Sequence, residues 1–178
     1  MCGFAGLYRK LGITEDDKKA IINMSQSIRH RGPDDCKTYF SEKYAFALRR
    51  LSIIDLEAGA QPFSGFDGRY IGIFNGEIYN YLELRKELSE KGYTFTTRSE
   101  IETILTLYHD EGPEFIKKLR GMFAIVLYDN EKNTLFFGRD PFGIKPFYYR
   151  CTPEGLSFSS EFKAFMFDPD MKEYKIDD

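Results

Sequence analysis

Apolar positions along the 178-residue chain alternate in short runs, most of them paired across turn residues. Helical spacing appears only early and in the middle. Gly3 to Tyr8 reads as a first strand. Thr14 offers a capping hydroxyl, and Glu15, Asp16 and Asp17 follow at the positive end of a helix dipole. Ala20, Ile21, Met24 and Ile28 then recur at helical spacing, predicting a helix to about Arg29. His30-Arg31-Gly32-Pro33-Asp34-Asp35 breaks it with a turn. Tyr44 to Leu48 reads as a buried strand that delivers Arg49-Arg50 and the alternating Leu51-Ser52-Ile53-Ile54-Asp55. Gly59-Ala60-Gln61-Pro62 reads as a loop. Arg69 to Phe74 predicts a strand that ends in a turn at Asn75-Gly76. Asn80 with Glu83, and Ser99 with Glu102, have capping-box spacing. They predict one helix over Leu82 to Lys91, closed by Gly92, and another to about His109, closed by Gly112. Pro113 starts a short further helix. Phe123 to Tyr128 pairs with Thr134 to Gly138 across Asn130-Glu131-Lys132-Asn133, and Pro146 to Arg150 pairs with Leu156 to Ser159. Ser160 to Phe165 reads as a last short helix.

Hairpins argue for antiparallel sheets. Several strands are apolar on both faces, which predicts an α+β fold: a four-layer αββα sandwich of two antiparallel sheets, not a doubly wound parallel one. The length suits one domain with a sizeable core. Net charge is -3 without a basic block, so no nucleic-acid partner is expected. No apolar run spans a bilayer and no signal pattern opens the chain, which predicts a cytoplasmic protein with no membrane partner. The three cysteines, Cys2, Cys36 and Cys151, are too few for a disulfide framework and lack zinc-ligand spacing. Cys36 and Cys151 are read as inert.

Cys2 stands directly behind Met1, which is normally trimmed when a small residue follows. Trimming places a free α-amine beside the thiol, a nucleophile with its own base; with Met1 retained that amine is blocked. The opposing reading of Cys2 is a small buried hydrophobe. An acyl transfer also needs oxyanion donors, and the Asn75 side chain with the Gly76 backbone N–H can supply them. Their plain reading is a turn. Arg50, at a strand end, can clamp a carboxylate with paired hydrogen bonds. Glu77 and Glu100 can hold an ammonium, although Glu100 also fits as an ordinary first-turn helix acid. His30 could be a base, but the terminal amine makes one unnecessary. A carboxylate, an ammonium and a side-chain acyl carbon together describe glutamine.

Several stretches carry a resemblance over nearly the whole chain: Met1-Cys2-Gly3, Arg29-His30-Arg31-Gly32-Pro33-Asp34, Arg50-Leu51-Ser52-Ile53-Ile54-Asp55, Gly59-Ala60-Gln61-Pro62, Phe74-Asn75-Gly76-Glu77-Ile78-Tyr79-Asn80, Gly121-Met122-Phe123-Ala124, Gly138 to Pro146, and Ser159-Ser160-Glu161-Phe162-Lys163-Ala164. In order and at this spacing they resemble the class II, N-terminal-nucleophile glutamine amidotransferase domain of the asparagine-synthetase type. The resemblance implies glutamine hydrolysis with no cofactor, residues 1–178 being the glutaminase domain. It makes Cys2 the nucleophile with its amine as base, and Asn75 and Gly76 the oxyanion hole. Arg50 binds the α-carboxylate. Leu51, Ile53 and Glu77 line the pocket, with backbone groups of the Arg50-Leu51-Ser52-Ile53-Ile54 stretch contributing, and Arg31 supports Cys2. ATP and Mg belong to a synthetase domain or subunit that receives the ammonia, whose phosphate loop is absent from this chain; a homodimer is allowed. Glu100 departs from the pattern, standing where the family usually carries Asp to hold the α-ammonium. That departure favours a rival reading, a catalytically weak glutamine-sensing or scaffolding module. An enzyme acting on another amide fits the Arg50 region poorly.

Overall fold

The computed structural model describes residues 2–51 and 61–171. In chain order the elements are β1 (Gly3–Arg9), α1 (Glu15–Ser27), β2 (Asp35–Phe40), β3 (Tyr44–Arg50), β4 (Phe63–Gly65), β5 (Tyr70–Ile78), α2 (Tyr81–Glu90), α3 (Glu100–Glu111), β6 (Gly121–Asp129), β7 (Thr134–Arg139), β8 (Tyr148–Cys151) and β9 (Gly155–Ser159). Short 3₁₀ segments span Arg29–Arg31, Gly112–Lys118 and Phe162–Phe167. They form two compact units, one of Met1–Ser52 with Pro146–Asp178 and one of Ile53–Lys145.

The first unit carries a five-stranded antiparallel sheet in the order β2-β3-β1-β9-β8. β1 is central because it is apolar on both faces. Ala5 and Leu7 pack with Ala45 and Ala47 against Ala20, Ile21, Met24 and Ile28 of the α1 segment. On the other face Phe4, Phe46, Phe147 and Phe158 form a ring cluster. Burying each such side chain contributes about 1.5–3 kcal/mol. α1 starts as expected: the Thr14 hydroxyl accepts from the Asp17 N–H and the Asp17 carboxylate accepts from the Thr14 N–H, a full capping box.

The second unit carries a four-stranded antiparallel sheet in the order β4-β5-β6-β7. Tyr70, Phe74 and Ile78 of β5, with Phe123, Ile125 and Leu127 of β6, pack against Leu84 and Leu88 of α2 and Ile101, Ile104, Leu105 and Tyr108 of α3.

The α+β class and the two antiparallel sheets are as expected, but several local readings need correction. β5 does not turn at Asn75-Gly76; it runs through to Ile78, paired throughout with β6. Asn80 and Ser99 sit at helix starts without capping through their side chains. Asn80 instead bridges to the segment before β6: its Nδ2 donates to the Lys118 carbonyl at 2.9 Å and its Oδ1 accepts the Arg120 N–H at 2.9 Å. The Glu102 carboxylate accepts the N–H and hydroxyl groups of both Thr96 and Thr97, holding the loop ahead of α3. β2 and β4 are additional strands. β2 is an exposed edge of mixed polarity, and β4 is three residues long, so neither leaves a periodic apolar signal. Among the described residues no helix is long and apolar enough to cross a membrane.

Candidate active site

In the first unit Cys2 is half-buried just ahead of β1, and its thiol is free. Three hydrogen bonds fix the start of that strand. The Phe4 N–H donates to Ser160 Oγ at 3.0 Å, the Ser160 N–H donates to the Phe4 carbonyl at 2.9 Å, and Ser159 Oγ donates to the same carbonyl at 3.1 Å. Arg31 Nε donates to the Cys2 carbonyl at 3.1 Å. The Arg31 stem lies over Gly3, where a Cβ would stand 2.9 Å from Arg31 Cδ, so only glycine lets the arginine lie this close. Glu161 anchors Arg31 in turn: its Oε1 accepts Arg31 Nη1 at 3.2 Å and contacts His30 Nε2 at 2.8 Å, while Lys163 Nζ lies 3.3 Å from Oε2. Burial pushes the Glu161 carboxyl up, but the hydrogen bonds from His30, Arg31 and Lys163 outweigh it and hold the group below the usual range. Arg31 Nη2 is buried with no hydrogen-bond partner among the described residues. Gly3 pairs with Arg49 at the end of the β1–β3 register, and Arg50 follows as the last residue of β3, paired with Asp35 of β2. Arg50 and Leu51 are half-buried at the end of β3. Ser52, Ile53 and Ile54 lie outside the described residues, as does Met1.

In the second unit Asn75, Gly76 and Glu77 are consecutive in β5. Asn75 is 3% exposed, and its Nδ2 has no hydrogen-bond partner among the described residues. A buried amide N–H without an acceptor costs about 1–3 kcal/mol, so it marks a place where an acceptor belongs. Gly76 has φ +157°, and a Cβ there would stand 2.1 Å from the Met122 carbonyl oxygen and 2.7 Å from Phe123 Cα. Close approach of β6, not a turn, is what requires this glycine.

β4 pairs only with Tyr70, Ile71 and Gly72, and among the described residues no strand continues along the later part of β5. There Gln61 Oε1 accepts the Phe74 N–H at 2.5 Å, and Glu100 Oε1 accepts the Ile78 N–H at 2.6 Å. Strand parity aims the Gly76 N–H to the same side, between them. Phe123, opposite Gly76, is consistent with this parity, because its N–H and carbonyl both engage Asp140 instead. The Glu100 carboxyl is raised to about 7, first by burial and further by the nearby Glu77 charge, against the pull of the Ile78 N–H. Glu77 itself is exposed.

The structure thus joins Cys2, Arg31 and Arg50 in one unit, and Asn75, Gly76, Glu77 and Glu100 in the other. Two members were not assigned from sequence. Glu161 lies within a quoted motif, but its contact with Arg31 spans 130 residues. Gln61 was read as loop, and its only signal was the Gly-Ala-Gln-Pro motif itself. Of the other cysteines, Cys36 and Cys151 are exposed, and Cys36 Sγ lies 3.1 Å from Ser25 Oγ.

Comparison with known proteins places this geometry in context. Asparagine synthetase [glutamine-hydrolyzing] 1 of Bacillus subtilis (strain 168) is 49% identical over 168 residues, covering 93% of this chain and 27% of that protein. Asparagine synthetase B [glutamine-hydrolyzing] of Escherichia coli (strain K12) is 44% identical over 168 residues, covering 93% of this chain and 30% of that one. The chain therefore spans less than a third of the length of these relatives. The solved glutamine phosphoribosylpyrophosphate amidotransferase of B. subtilis superposes with a TM-score of 0.74 over 93% of this chain and 43% of that one, at 18% identity, which shows a shared fold. The family profile of the glutamine amidotransferase domain matches residues 1–178, and the chain belongs to that family.

Proposed function

We propose that the chain hydrolyses glutamine to glutamate and ammonia through a γ-glutamyl thioester on Cys2. The observation that carries this reading is the buried Asn75 Nδ2 beside Gly76, which has no hydrogen-bond partner among the described residues. Two donors on adjacent residues suit one oxyanion.

With Met1 removed, the Cys2 α-amine accepts the thiol proton and the sulfur attacks the glutamine side-chain carbonyl carbon. The carbonyl oxygen becomes an oxyanion that accepts from Asn75 Nδ2 and the Gly76 N–H. Collapse breaks the C–N bond, and the protonated α-amine returns its proton to the departing ammonia. Water, deprotonated by the same amine, then cleaves the thioester and releases glutamate. Arg50 holds the α-carboxylate, and Glu100 with Glu77 holds the α-ammonium. Leu51, Ser52, Ile53 and Ile54 complete the pocket. Arg31 fixes the Cys2 carbonyl so that sulfur and amine keep their geometry.

Ammonia passes to a synthetase domain or subunit that uses ATP and Mg, most simply to make asparagine from aspartate; the names of the two relatives support this. Residues 1–178 act as one glutaminase domain, in a cytoplasmic setting, with homodimer formation permitted. The test is glutamate release from glutamine by protein whose trimmed terminus is verified by mass spectrometry, with Cys2→Ala as control. Turnover abolished by Cys2→Ala is expected. Glutamine binding without turnover supports the sensing module instead, which the raised Glu100 carboxyl favours.

A further inference from the structure

An ordinary partner strand on this edge of β5 would take the N–H groups of Phe74, Gly76 and Ile78 alike. Among the described residues two side chains from separate segments take the outer two. Gln61, just ahead of β4, caps the Phe74 N–H, and Glu100, in the first turn of α3, caps the Ile78 N–H. They take the rungs on either side of Gly76. The Gly76 backbone has no side chain to steady it, and it lies in close approach to Met122 and Phe123 of β6.

Resting on the oxyanion role given to Gly76 above, we infer that Gln61 is a positioning residue which, with Glu100 on the other flank, holds the edge of β5 so that the Gly76 N–H stays aimed at the developing oxyanion. Gln61 touches no reacting atom; it acts through the Phe74 peptide, two residues from the donor. An acceptor matters more than bulk at this position, so Gln61→Met, which keeps the length and loses the oxygen, is the informative change.

The readout is the affinity of the γ-aldehyde analogue of glutamine relative to that of glutamate. The aldehyde adds to Cys2 to give a tetrahedral hemithioacetal whose oxygen occupies the oxyanion position, whereas glutamate reports ground-state binding. In Gln61→Met the aldehyde-to-glutamate affinity ratio is expected to fall at least tenfold, with a matching fall in kcat and a KM for glutamine within about twofold of wild type. Because both affinities belong to the folded fraction, partial misfolding does not mimic the result. An unchanged ratio, or equal loss of both affinities, overturns the inference. Wild-type protein that binds glutamate but never turns over glutamine overturns the glutaminase reading itself, a separate result.

Discussion

Glu100 is one methylene longer than the aspartate the family pattern leads one to expect, and the extra reach goes to the backbone: one oxygen takes the Ile78 N–H, leaving the other for an ammonium. With its carboxyl raised to about 7, the group is half protonated at neutral pH. An ammonium prefers the carboxylate, so glutamine binding should strengthen as pH rises through about 7. KM for glutamine is expected to fall roughly tenfold from pH 6 to pH 8, and Glu100→Gln should raise KM and flatten that dependence. Steady-state kinetics across this window, with Glu100→Gln as the control that removes the titrating carboxyl, decide it. Without ligand the linkage runs the other way. The folded state keeps the Glu100 proton where the unfolded chain has lost it, so the stabilisation is present in acid and lost as pH rises through about 7. Arg31 offers a second test at this scale. Arg31→Met frees the Cys2 carbonyl and leaves Glu161 with His30 and Lys163. A displacement near 1 Å at a nucleophile costs roughly 100-fold. A fall of that order in kcat, with KM little changed, is expected; unchanged kcat would show that the strand bonds of Phe4 suffice. Cys2, Asn75 and Arg50 stand out in the sequence as candidates because each residue type suits the task proposed for it, although each also has a plainer reading. Arg31's anchor on Glu161 does not, since contacts between residues so distant in sequence leave no local pattern.

Strand β5 shows how candidate chemistry can be proposed from sequence while the shape of the element that carries it is misread. Asn-Gly after an apolar run is a strong turn signal when neighbours are unknown. The same glycine is demanded here by the approach of β6, and only the sheet register reveals it. Helix starts divide in the same way. Thr14 caps α1 because Asp17 completes the box locally, whereas Asn80 is drawn to the Lys118 and Arg120 backbone, tying the start of α2 to the start of β6. These bonds make element-scale predictions. Gly76→Ala forces β5 and β6 apart and should cost at least about 1–3 kcal/mol, read as a lower urea midpoint. Asn80→Ala should cost about 1 kcal/mol by the same measurement while leaving glutamine turnover intact. A loss of turnover larger than the loss of stability would mean that the start of β6 communicates with the Gly76 donor.

At the scale of the molecule, the first unit is built from both ends of the chain, with residues 53–145 inserted between its halves. Its closure includes a charge cluster that periodicity could not disclose. Arg9, 5% exposed at the end of β1, donates through Nε to Asp17 of α1 at 2.7 Å and through Nη2 to Asp168, beyond β9, at 2.7 Å. Asp168 also accepts from Ser157 and Arg150. Burial pushes the Asp17 carboxyl up, but the bonds from Thr14 and Arg9 outweigh it and hold the group below its ordinary value of 3.8. The sign follows: its contribution is present above that value and is lost as pH falls through the lower, folded one. Arg9→Met takes the guanidinium from two buried carboxylates, leaving Asp17 with Thr14 and Asp168 with Ser157 and Arg150, and should destabilise the protein by up to about 3–5 kcal/mol at pH 7. Without the guanidinium the Asp17 carboxyl takes up a proton more readily, so the deficit should shrink as pH is lowered toward 4. Urea unfolding of both proteins at the two pH values tests this. A deficit that is the same at both, or below about 1 kcal/mol at pH 7, would mean that the core of β1 and α1 closes the unit without the cluster.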